Sequence, residues 1–445
     1  MKIKSFPNAL VILMAFILFA GFLTWVIPAG QYTRELDPIT GQNIVVPKSY
    51  QKTTPAPVSI LRVFLSIPEG LIQRSDLIVL ILLIGGCFVV VEKTGAFKEG
   101  INYASSKLQG KEELGLIIVG LLFAAGGVLY GLQEEVIAMI PILLIFSKRL
   151  GYNPLVTISV SHGAAVIGSA FSPMNPFGVS IALSAAELPL LSGSLFRIVV
   201  MIIAICAWLA MIISYGNKNK IEKDTSQDFD ATISGRSIII LGILGVTFAL
   251  MIYGLLALDW GFNEMAAEFF IAGLVMGLIG KLGVNGTSEA YIEGFKEMIF
   301  ASVIVGFAQS ISIVLKEGMI MDSIVYGLFT PLQYLPKTVS AIGMMLSQAV
   351  LHIPIPSYSG QAILTMPILS SLSDLIGLSR QVCVLAYQYG AILMDMIIPT
   401  NGAIMAIIAL AGVSYDQWFR FAFIRTMVIM GIGGAAIIIA IIIGF

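Results

Sequence analysis

Two short polar breaks, each inside a long apolar stretch, carry side chains that can bind a cation. They lie at residues 172–176 (SPMNP) and 399–402 (PTNG). Proline removes a backbone donor and glycine permits unusual dihedral angles, so both breaks should unwind a helix and free its carbonyl groups. Unwound carbonyls and polar side chains at membrane depth suit a coupling cation such as Na⁺. The predicted coupling-ion ligands are Ser172, Asn175, Thr400, Asn401 and Asp395.

An alternative for the two breaks is a pair of helix kinks, in which each asparagine satisfies a backbone group. The occurrence of two breaks at corresponding positions favours the ion site. We therefore expect a Na⁺ site near Asn175 and Asn401. Asp395 precedes Asn401 by about one and a half helical turns, and it is expected to reach that site or to carry a proton. The coupling ion is thus Na⁺ or H⁺, and no cofactor is expected.

Two turns within other apolar segments offer groups that suit a substrate. In the first turn, at residues 131–135 (GLQEE), Glu134 and Glu135 can hold an ammonium group, accept the coupling proton or pair with a structural partner. Ionisable groups inside membrane segments are costly and usually mark function. The second turn, at residues 356–361 (PSYSGQ), offers hydroxyls and backbone amides to a carboxylate. The predicted substrate-binding residues are Glu134, Glu135, Asn175, Ser357, Ser359, Gly360, Gln361 and Asn401.

The remaining chemically versatile residues form no recognisable catalytic pattern. His162 and His352 both lie near the breaks, and we interpret them as hydrogen-bonded core residues. The three cysteines lie far apart in apolar runs and are interpreted as buried thiols. No metal-ligand spacing, P-loop or catalytic carboxylate pair on a soluble scaffold is visible in the sequence. These observations argue against an enzyme.

The composition places the chain in a membrane. Of 445 residues, 58% are hydrophobic and only 11% are charged, far below the quarter that is typical of soluble domains. A bilayer core about 30 Å thick needs roughly 20 apolar helical residues for each crossing, and such runs recur along the chain. A net charge of −1 does not indicate the basic surface that binds nucleic acid.

Hydropathy predicts an all-α polytopic protein with about nine transmembrane helices, two re-entrant hairpins and two interrupted helices. Segments 114–150 and 338–378 each contain either two full spans or one hairpin that enters and leaves on the same side. Segments 154–187 and 380–412 are interpreted as single, interrupted spans. The other predicted crossings lie near residues 8–28, 76–92, 194–215, 236–257, 264–280, 297–315 and 421–444.

The distribution of positive charge favours the hairpin alternative. If the N-terminus, with Lys2 and Lys4, is cytoplasmic, most lysines and arginines fall on the cytoplasmic side. The predicted short outer loops at 188–193 and 258–263 then carry none. The expected location is the inner membrane of a bacterium, with many crossings and a cytoplasmic N-terminus.

The two halves of the chain carry signs of an internal duplication. The sequences MIPIL (139–143) and TMPIL (365–369) align, and the same offset pairs Asn175 with Asn401. An odd number of crossings before the second copy would invert it, and inverted repeats with interrupted helices are typical of secondary transporters. The predicted organisation is a first repeat at 1–215, a cytoplasmic linker at 216–235, a connecting helix at 236–257 and a second repeat at 258–445.

The strings at the breaks and turns resemble those of YfcC-type transporters, which belong with the anaerobic four-carbon dicarboxylate carriers of the ion transporter superfamily. The resemblance covers nearly the whole chain and rests on residues 131–135, 172–177, 356–362 and 399–402. It implies a dimeric carrier of the bacterial inner membrane with an elevator-like motion of the hairpin domain. Relatives are associated with dicarboxylates and with basic amino acids, so the resemblance leaves the substrate open.

These observations predict an ion-coupled secondary transporter of a small carboxylate-containing solute. We expect no lysine or arginine near the membrane midplane, whereas Glu134 and Glu135 lie at a hairpin tip. An amino acid, including a basic one, or a small peptide is therefore favoured over a C4-dicarboxylate. A channel is a further alternative, but it would need a continuous polar pore. The expected partners are the small-molecule substrate, the lipid bilayer and a second copy of the chain.

Overall fold

Helices make up most of the computed structural model, which describes residues 9–36, 43–108, 110–222, 232–258 and 260–445. Two predicted features lie outside the described residues: the positive charges of Lys2 and Lys4, and residues 223–231 of the linker. The α-helices are α1 (Ala9–Val26), α2 (Ile60–Gln73), α3 (Ser75–Lys93), α4 (Ala96–Lys107), α5 (Glu112–Tyr130), α6 (Glu134–Arg149), α7 (Pro154–Ile158), α8 (Ala164–Phe171), α9 (Ile181–Ala185), α10 (Ser194–Lys218), α11 (Gly235–Ala257), α12 (Phe262–Ile279), α13 (Gly283–Glu317), α14 (Met321–Phe329), α15 (Lys337–His352), α16 (Tyr358–Ile376), α17 (Arg380–Ala391), α18 (Gly402–Leu410) and α19 (Tyr415–Ile442).

The all-helical prediction holds for the body of the chain but missed four short strands after α1. These strands form two antiparallel pairs beside α14. The ring of Tyr50 stacks on that of Tyr326 at 4.2 Å between centroids, and Arg34 forms an ion pair with Asp322 at 2.8 Å. The pairs are β1 (Gly30–Gln31) with β4 (Gln51–Lys52), and β2 (Arg34–Leu36) with β3 (Asn43–Val45).

Nine helices in the described ranges are long and apolar enough to cross a membrane, the number that hydropathy predicted. The two sets differ in one member. Helix α5, the first arm of the predicted hairpin 114–150, has the length and composition of a span. Segment 380–412 is not among the nine, and it consists of helical pieces of 12, 5 and 9 residues.

Both predicted interruptions of a helix occur, and in each an asparagine caps the helix that follows. Helix α8 ends at Phe171, and a π-helical turn resumes at Pro176, where the side-chain oxygen of Asn175 accepts from backbone amides. A 3₁₀ turn at Ile392–Met396 follows α17, and the side-chain oxygen of Asn401 caps α18. Because asparagine satisfies the amides that a helix start leaves unpaired, these two residues fix where the helices restart.

Helix pairs α5/α6 and α15/α16 occupy the two predicted hairpins, and the first arm of each packs closely on the helix that follows the pair. A Cβ on Gly127 of α5 would stand 2.0 Å from the carbonyl oxygen of Ala165 on α8. A Cβ on Gly390 of α17 would stand 2.1 Å from the carbonyl oxygen of Met345 on α15. Small residues permit such backbone contacts between membrane helices. Each helix pair is thereby held against an interrupted helix.

Helix α13 is the long support that brings α2 beside the second break. It packs against α1, α2, α3 and α18. A Cβ on Gly70 of α2 would stand 2.3 Å from the carbonyl oxygen of Gly306, and one on Gly402 of α18 would stand 2.9 Å from the Cα of Val305. The junction of α2 and α3, at Arg74, therefore lies near the start of α18.

Candidate functional site

The first break is stabilised by backbone contacts of Asn175. Its Oδ1 accepts from the amides of Phe177 and Gly178 at 3.0 and 2.9 Å, and its Nδ2 donates to the carbonyl of Gly127 at 2.9 Å. The side chain is fully buried. Each polar atom of the Asn175 side chain therefore already has a backbone partner, and the residue ties the break to α5.

The polar groups that the first break leaves without helical partners form hydrogen bonds within the protein. Ser172 Oγ donates to the carbonyl of Val128 at 2.7 Å and accepts from the amide of Asn175 at 2.8 Å. The carbonyl of Ser172 accepts from Gln388 Nε2 at 2.9 Å. Gln388 in turn accepts from the buried Arg197 at 2.9 Å. The carbonyl of Ser172 is thus satisfied by a side chain of α17, which Arg197 of α10 holds in place, as backbone in a membrane must be satisfied inside the protein.

The second break surrounds a buried carboxylate, that of Asp395. Its Oδ2 accepts from Gln133 Nε2 at 3.0 Å, and its Oδ1 accepts from His352 Nε2 at 2.9 Å and from Asn401 Nδ2. Gln133 precedes α6 at the tip of the first hairpin, and His352 is the last residue of α15 in the second. Asp395 therefore joins both hairpins to the second break.

His352 belongs to a buried hydrogen-bonded chain that fixes the orientation of its ring. Gln361 Nε2 donates to the carbonyl of Gln348 at 2.8 Å, which turns Gln361 Oε1 towards His352 Nδ1 at 2.6 Å. A backbone carbonyl only accepts, so the amide orientation of Gln361 follows from this contact. Oδ1 of Asp395 lies on the other side of the ring, so the imidazole of His352 stands between two side-chain oxygens.

The two carboxylates at the tip of the first hairpin, those of Glu134 and Glu135, have different surroundings. Glu135 is buried, and its Oε2 accepts from the amide of Gln133 at 3.2 Å, which helps to start α6. Glu134 is half-buried and lines a cavity between the two hairpins. Glu134 thus faces the space that a solute can occupy, whereas Glu135 is partly engaged by its own turn.

The cavity between the hairpins has a volume of about 210 Å³, and a smaller one of about 60 Å³ adjoins the start of α18. Ligand pockets for drug-sized molecules are larger, about 300–1,000 Å³, so this space suits a small solute. Of the predicted residues, the larger cavity is lined by Glu134, Glu135, Ser357, Ser359, Asp395 and Asn401. Thr400 lines the smaller cavity, and its buried Oγ1 has no hydrogen-bond partner in the described ranges.

Four predicted site residues line neither cavity. Asn175 and Ser172 lie behind the first hairpin tip, where a Cβ on Gly131 would stand 2.8 Å from Asn175 Nδ2. Gln361 supports His352, and Gly360 donates its amide to Ser357 Oγ at 3.3 Å as part of the cap of α16. These four residues therefore contact other residues of the site or its supports and do not form the cavity walls.

An arginine lines the candidate site, whereas the expectation that no lysine or arginine lies near the membrane midplane stays a prediction. Arg74, at the junction of α2 and α3, lines both cavities together with Glu134. In the part of the chain that the structure describes, its one side-chain hydrogen bond runs from Nε to Gln309 Oε1 at 3.1 Å, and its side chain forms no ion pair. The position of Arg74 depends on the packing of α2 on α13, which brings the junction of α2 and α3 to the cavities.

The two histidines differ in their surroundings. His352 is a hydrogen-bonded core residue, as we interpreted it from the sequence, but it lies in the site network. His162 is fully buried in the π-helical turn Ser159–Gly163, and neither ring nitrogen has a partner in the described ranges. Within the same ranges, no group of three or more His, Cys, Asp or Glu side chains could hold a metal ion.

Comparisons with known proteins give consistent matches along the chain. The model of the C4-dicarboxylate anaerobic carrier family (DcuC) matches residues 6–442. An Escherichia coli protein named "Putative basic amino acid antiporter YfcC" is 31% identical over 467 residues, which cover 94% of this chain and 92% of that protein. An uncharacterized protein of Haemophilus influenzae is 30% identical over 479 residues, or 94% of each chain. The crystal structure of the Alcanivorax borkumensis YdaH transporter aligns over 99% of each chain with a TM-score of 0.46 and 15% identity.

The contacts of Asn175 predict a structural cost for its removal. Asn175→Ala leaves buried backbone groups unpaired, at about 1–3 kcal/mol for each group, so the melting temperature of the purified protein in detergent should fall clearly. The control is Asn153→Ala, which removes a more exposed asparagine cap from α7 and should cost only about 1 kcal/mol. Equal melting temperatures for the two variants, with a changed ion dependence only in Asn175→Ala, would contradict this structural role and support ion binding by Asn175.

Proposed function

The chain belongs to the C4-dicarboxylate anaerobic carrier family, and from that premise we propose that it is a proton-coupled secondary transporter of an amino acid. The family and the multi-pass helical chain identify a membrane transporter of a small molecule. The substrate and the coupling ion are our proposal, and they rest on the charges around the cavity. The observation that carries the proposal is that Arg74 and Glu134 line one cavity without pairing with each other.

Opposite charges on one small cavity suit a zwitterion. Arg74 offers free guanidinium N–H groups to a substrate carboxylate, a pairing that is often bidentate. Glu134 accepts from a substrate ammonium, while Ser357 and Ser359 add hydroxyls on the second hairpin. Because the two charged side chains do not neutralise each other directly, a solute that carries both charges can pair with both. An amino acid meets this requirement.

A basic amino acid is the favoured member of this class. The Escherichia coli relative is named as an antiporter of basic amino acids, and this chain places Glu135 beside Glu134 on the cavity wall. A second carboxylate gives a second ammonium or guanidinium group a partner. Uptake of a C4-dicarboxylate is the alternative, favoured by the family's description and by Arg74, but Glu134 and Glu135 would repel a dianion.

The charge pattern predicts that two substitutions weaken the binding of different sets of substrates. Arg74→Gln should weaken binding of every carboxylate substrate, and Glu134→Gln should weaken binding of lysine and arginine but not of succinate. Each loss should be roughly 10–150-fold, since a charge-assisted hydrogen bond contributes about 1.5–3 kcal/mol and about 1.4 kcal/mol is tenfold. Thermal-shift titrations of the purified protein with lysine, arginine, leucine, succinate and fumarate measure these effects.

The controls for this experiment are Arg236→Gln and Glu289→Gln, which remove exposed charges on other helices and should leave every titration unchanged. Stabilisation by succinate alone, retained in Glu134→Gln, would replace the amino acid with a dicarboxylate. Transport of the stabilising solute into proteoliposomes then establishes that the bound molecule is a substrate.

The proposed coupling ion is H⁺, carried by Asp395 and His352. The carboxylate of Asp395 is surrounded by N–H donors from Gln133, His352 and Asn401. A Na⁺ ion needs oxygen ligands, and these donors would have to leave before Asp395 could provide them. A proton needs no such set of ligands, because Asp395 Oδ1 and His352 Nε2 are 2.9 Å apart and can exchange it directly. Since Asp395 is joined to both hairpins, movement of the hairpins as one unit would carry the proton with them.

The shared proton predicts a selective loss of coupling. Asp395→Asn should abolish uptake driven by an imposed pH gradient in proteoliposomes but retain at least a tenth of the exchange of labelled for unlabelled substrate. His352→Gln should shift the pH dependence of uptake, because Gln361 and Asp395 would then meet a neutral amide. The matched control is His162→Gln, which changes the other buried histidine. Uptake by the wild type that follows a Na⁺ gradient and ignores a pH gradient would overturn H⁺ coupling.

We further propose that the chain is built from two inverted repeats, 1–215 and 258–445, joined by the linker 216–235 and the helix 236–257. The support is the matched arrangement in which α5 packs on α8 and α15 packs on α17, each through glycine. The proposed elevator motion carries the hairpins and breaks as one unit, because Asp395 joins them. A homodimer in the bacterial inner membrane, with a cytoplasmic N-terminus, completes the proposal.

This topology predicts the side from which the bases of the hairpins are reached. In a variant without Cys87, Cys206 and Cys383, single cysteines at Lys111 and Lys148 should both react with membrane-impermeant thiol reagents from the cytoplasmic side. A cysteine at Lys337 at the base of the second pair should react from the outside. Labelling of the first two positions from opposite sides would give 114–150 an odd number of crossings and rule out the inverted repeat.

A further inference from the structure

The smaller of the two cavities, of about 60 Å³, is bounded on one side by the start of α18. The first four amides of an α-helix have no partner within the helix. In α18, the amide of Ile404 donates to Asn401 Oδ1 at 3.1 Å, and that of Met405 donates to the Asn401 carbonyl at 3.4 Å. The amides of Gly402 and Ala403 have no partner in the described ranges, and both residues line the cavity. Open amides at the start of a helix favour an anion.

A buried hydroxyl and a guanidinium group add donors to the same cavity. Thr400 lines the cavity and is 1% exposed, and its Oγ1 has no hydrogen-bond partner in the part of the chain that the structure describes. Arg74 donates from Nε to Gln309, and its two Nη groups have no acceptor there. Glu134 is the acidic member of the lining residues. Because Na⁺ takes oxygen ligands and N–H groups cannot provide them, this set of donors favours a carboxylate over a cation.

Two glutamines hold the guanidinium group of Arg74 in one orientation. Arginine only donates hydrogen bonds, so the contact of its Nε at 3.1 Å identifies Oε1 of Gln309 as the acceptor. The amide nitrogen of Gln309 then donates to Oε1 of Gln73, also at 3.1 Å. This chain from α2 through α13 occupies the Nε side of Arg74 and leaves both Nη groups for a ligand. Gln309 therefore acts on a ligand through Arg74.

We propose that this small cavity is the subsite for the carboxylate of the substrate, and that Gln309 is the residue that positions Arg74 for it. The subsite rests on the proposed function, in which the substrate is an amino acid. Its donors are the Nη groups of Arg74, the hydroxyl of Thr400 and the open amides of Gly402 and Ala403.

The two cavities together accommodate the parts of an amino acid. A volume of about 60 Å³ suffices for a carboxylate, since one water molecule needs roughly 10–15 Å³ of such space. Glu134 lines both cavities, so it is placed to accept from the ammonium group beside the carboxylate. The side chain of the substrate then extends into the larger cavity of about 210 Å³, where Glu135 lies.

Arginine and agmatine, which is arginine without its carboxylate, test the subsite directly. In isothermal titration calorimetry of the detergent-purified protein, the wild type should bind arginine at least tenfold more tightly than agmatine. Thr400→Val removes the hydroxyl and keeps the shape of the side chain, so it should weaken arginine binding about tenfold and leave agmatine binding unchanged. The matched control is Thr426→Val on α19. The buried Oγ1 of Thr426 also has no partner in the described ranges, but the residue lines neither cavity, and the control should change neither affinity.

Gln309→Leu tests the positioning of Arg74. It removes the acceptor of Arg74 Nε, so it should weaken arginine binding about tenfold and leave agmatine binding unchanged. In an Arg74→Gln background the same substitution should have no further effect, because Gln309 acts through Arg74. A merely structural role of Gln309 would instead weaken arginine and agmatine alike, in both backgrounds, and would overturn its assignment.

The results separate this subsite from the proposed function. Arginine binding that needs Arg74 but keeps its ratio to agmatine binding in Thr400→Val and Gln309→Leu would overturn the subsite and leave amino acid transport intact. Binding of succinate in place of arginine would overturn the amino acid. The carboxylate subsite would then stand if Thr400→Val weakens succinate binding about tenfold, and it would fall if succinate binding is unchanged.

Discussion

The buried carboxylate of Asp395 is the constraint on which the arrangement of the site depends. A buried charge is tolerated only when it is paired and hydrogen-bonded, and the three donors to Asp395 come from separate parts of the chain. Gln133 belongs to the first hairpin, His352 to the second and Asn401 to the second break. Displacement of any one of these elements would leave the carboxylate short of a donor. The two hairpins and the break are therefore held in fixed positions relative to one another.

The two breaks share a sequence pattern but perform different tasks. The side chain of Asn175 forms hydrogen bonds with three backbone groups, so the first break is a rigid support behind the hairpin tip. Asn401 caps α18 with its oxygen and turns its nitrogen towards Asp395. One carboxylate accounts for this difference, because the first break has no acidic side chain that corresponds to Asp395. Two breaks of similar sequence can thus differ, one being held only by backbone contacts and the other surrounding a buried carboxylate.

Sequence reasoning found the features that depend on residues close together in the chain. Proline, glycine and asparagine within apolar runs located both breaks, because these residues act on their own backbone. The nine long apolar helices followed from composition in the same way, although α5 qualified as a span where segment 380–412 did not. The role of Arg74 could not be predicted, because its position depends on the contact of Gly70 with Gly306, far away in the sequence. The chain from Gln348 through Gln361 to His352 was missed for the same reason, since a glutamine in an apolar helix does not reveal its partner.

The charges around the cavity bear on our proposal that the solute is a zwitterion. Arg74 and Glu134 contribute opposite charges, and in this proposal Asp395 and His352 share one proton and are neutral overall. An amino acid adds one charge of each sign, so the loaded site has the same net charge as the empty one. Movement of net charge through a medium of low dielectric constant costs several kcal/mol per ion even after relaxation. A dicarboxylate would add two negative charges and would need two further protons to avoid this cost. A basic amino acid adds one positive charge, which an ionised Glu135 offsets without any additional ion.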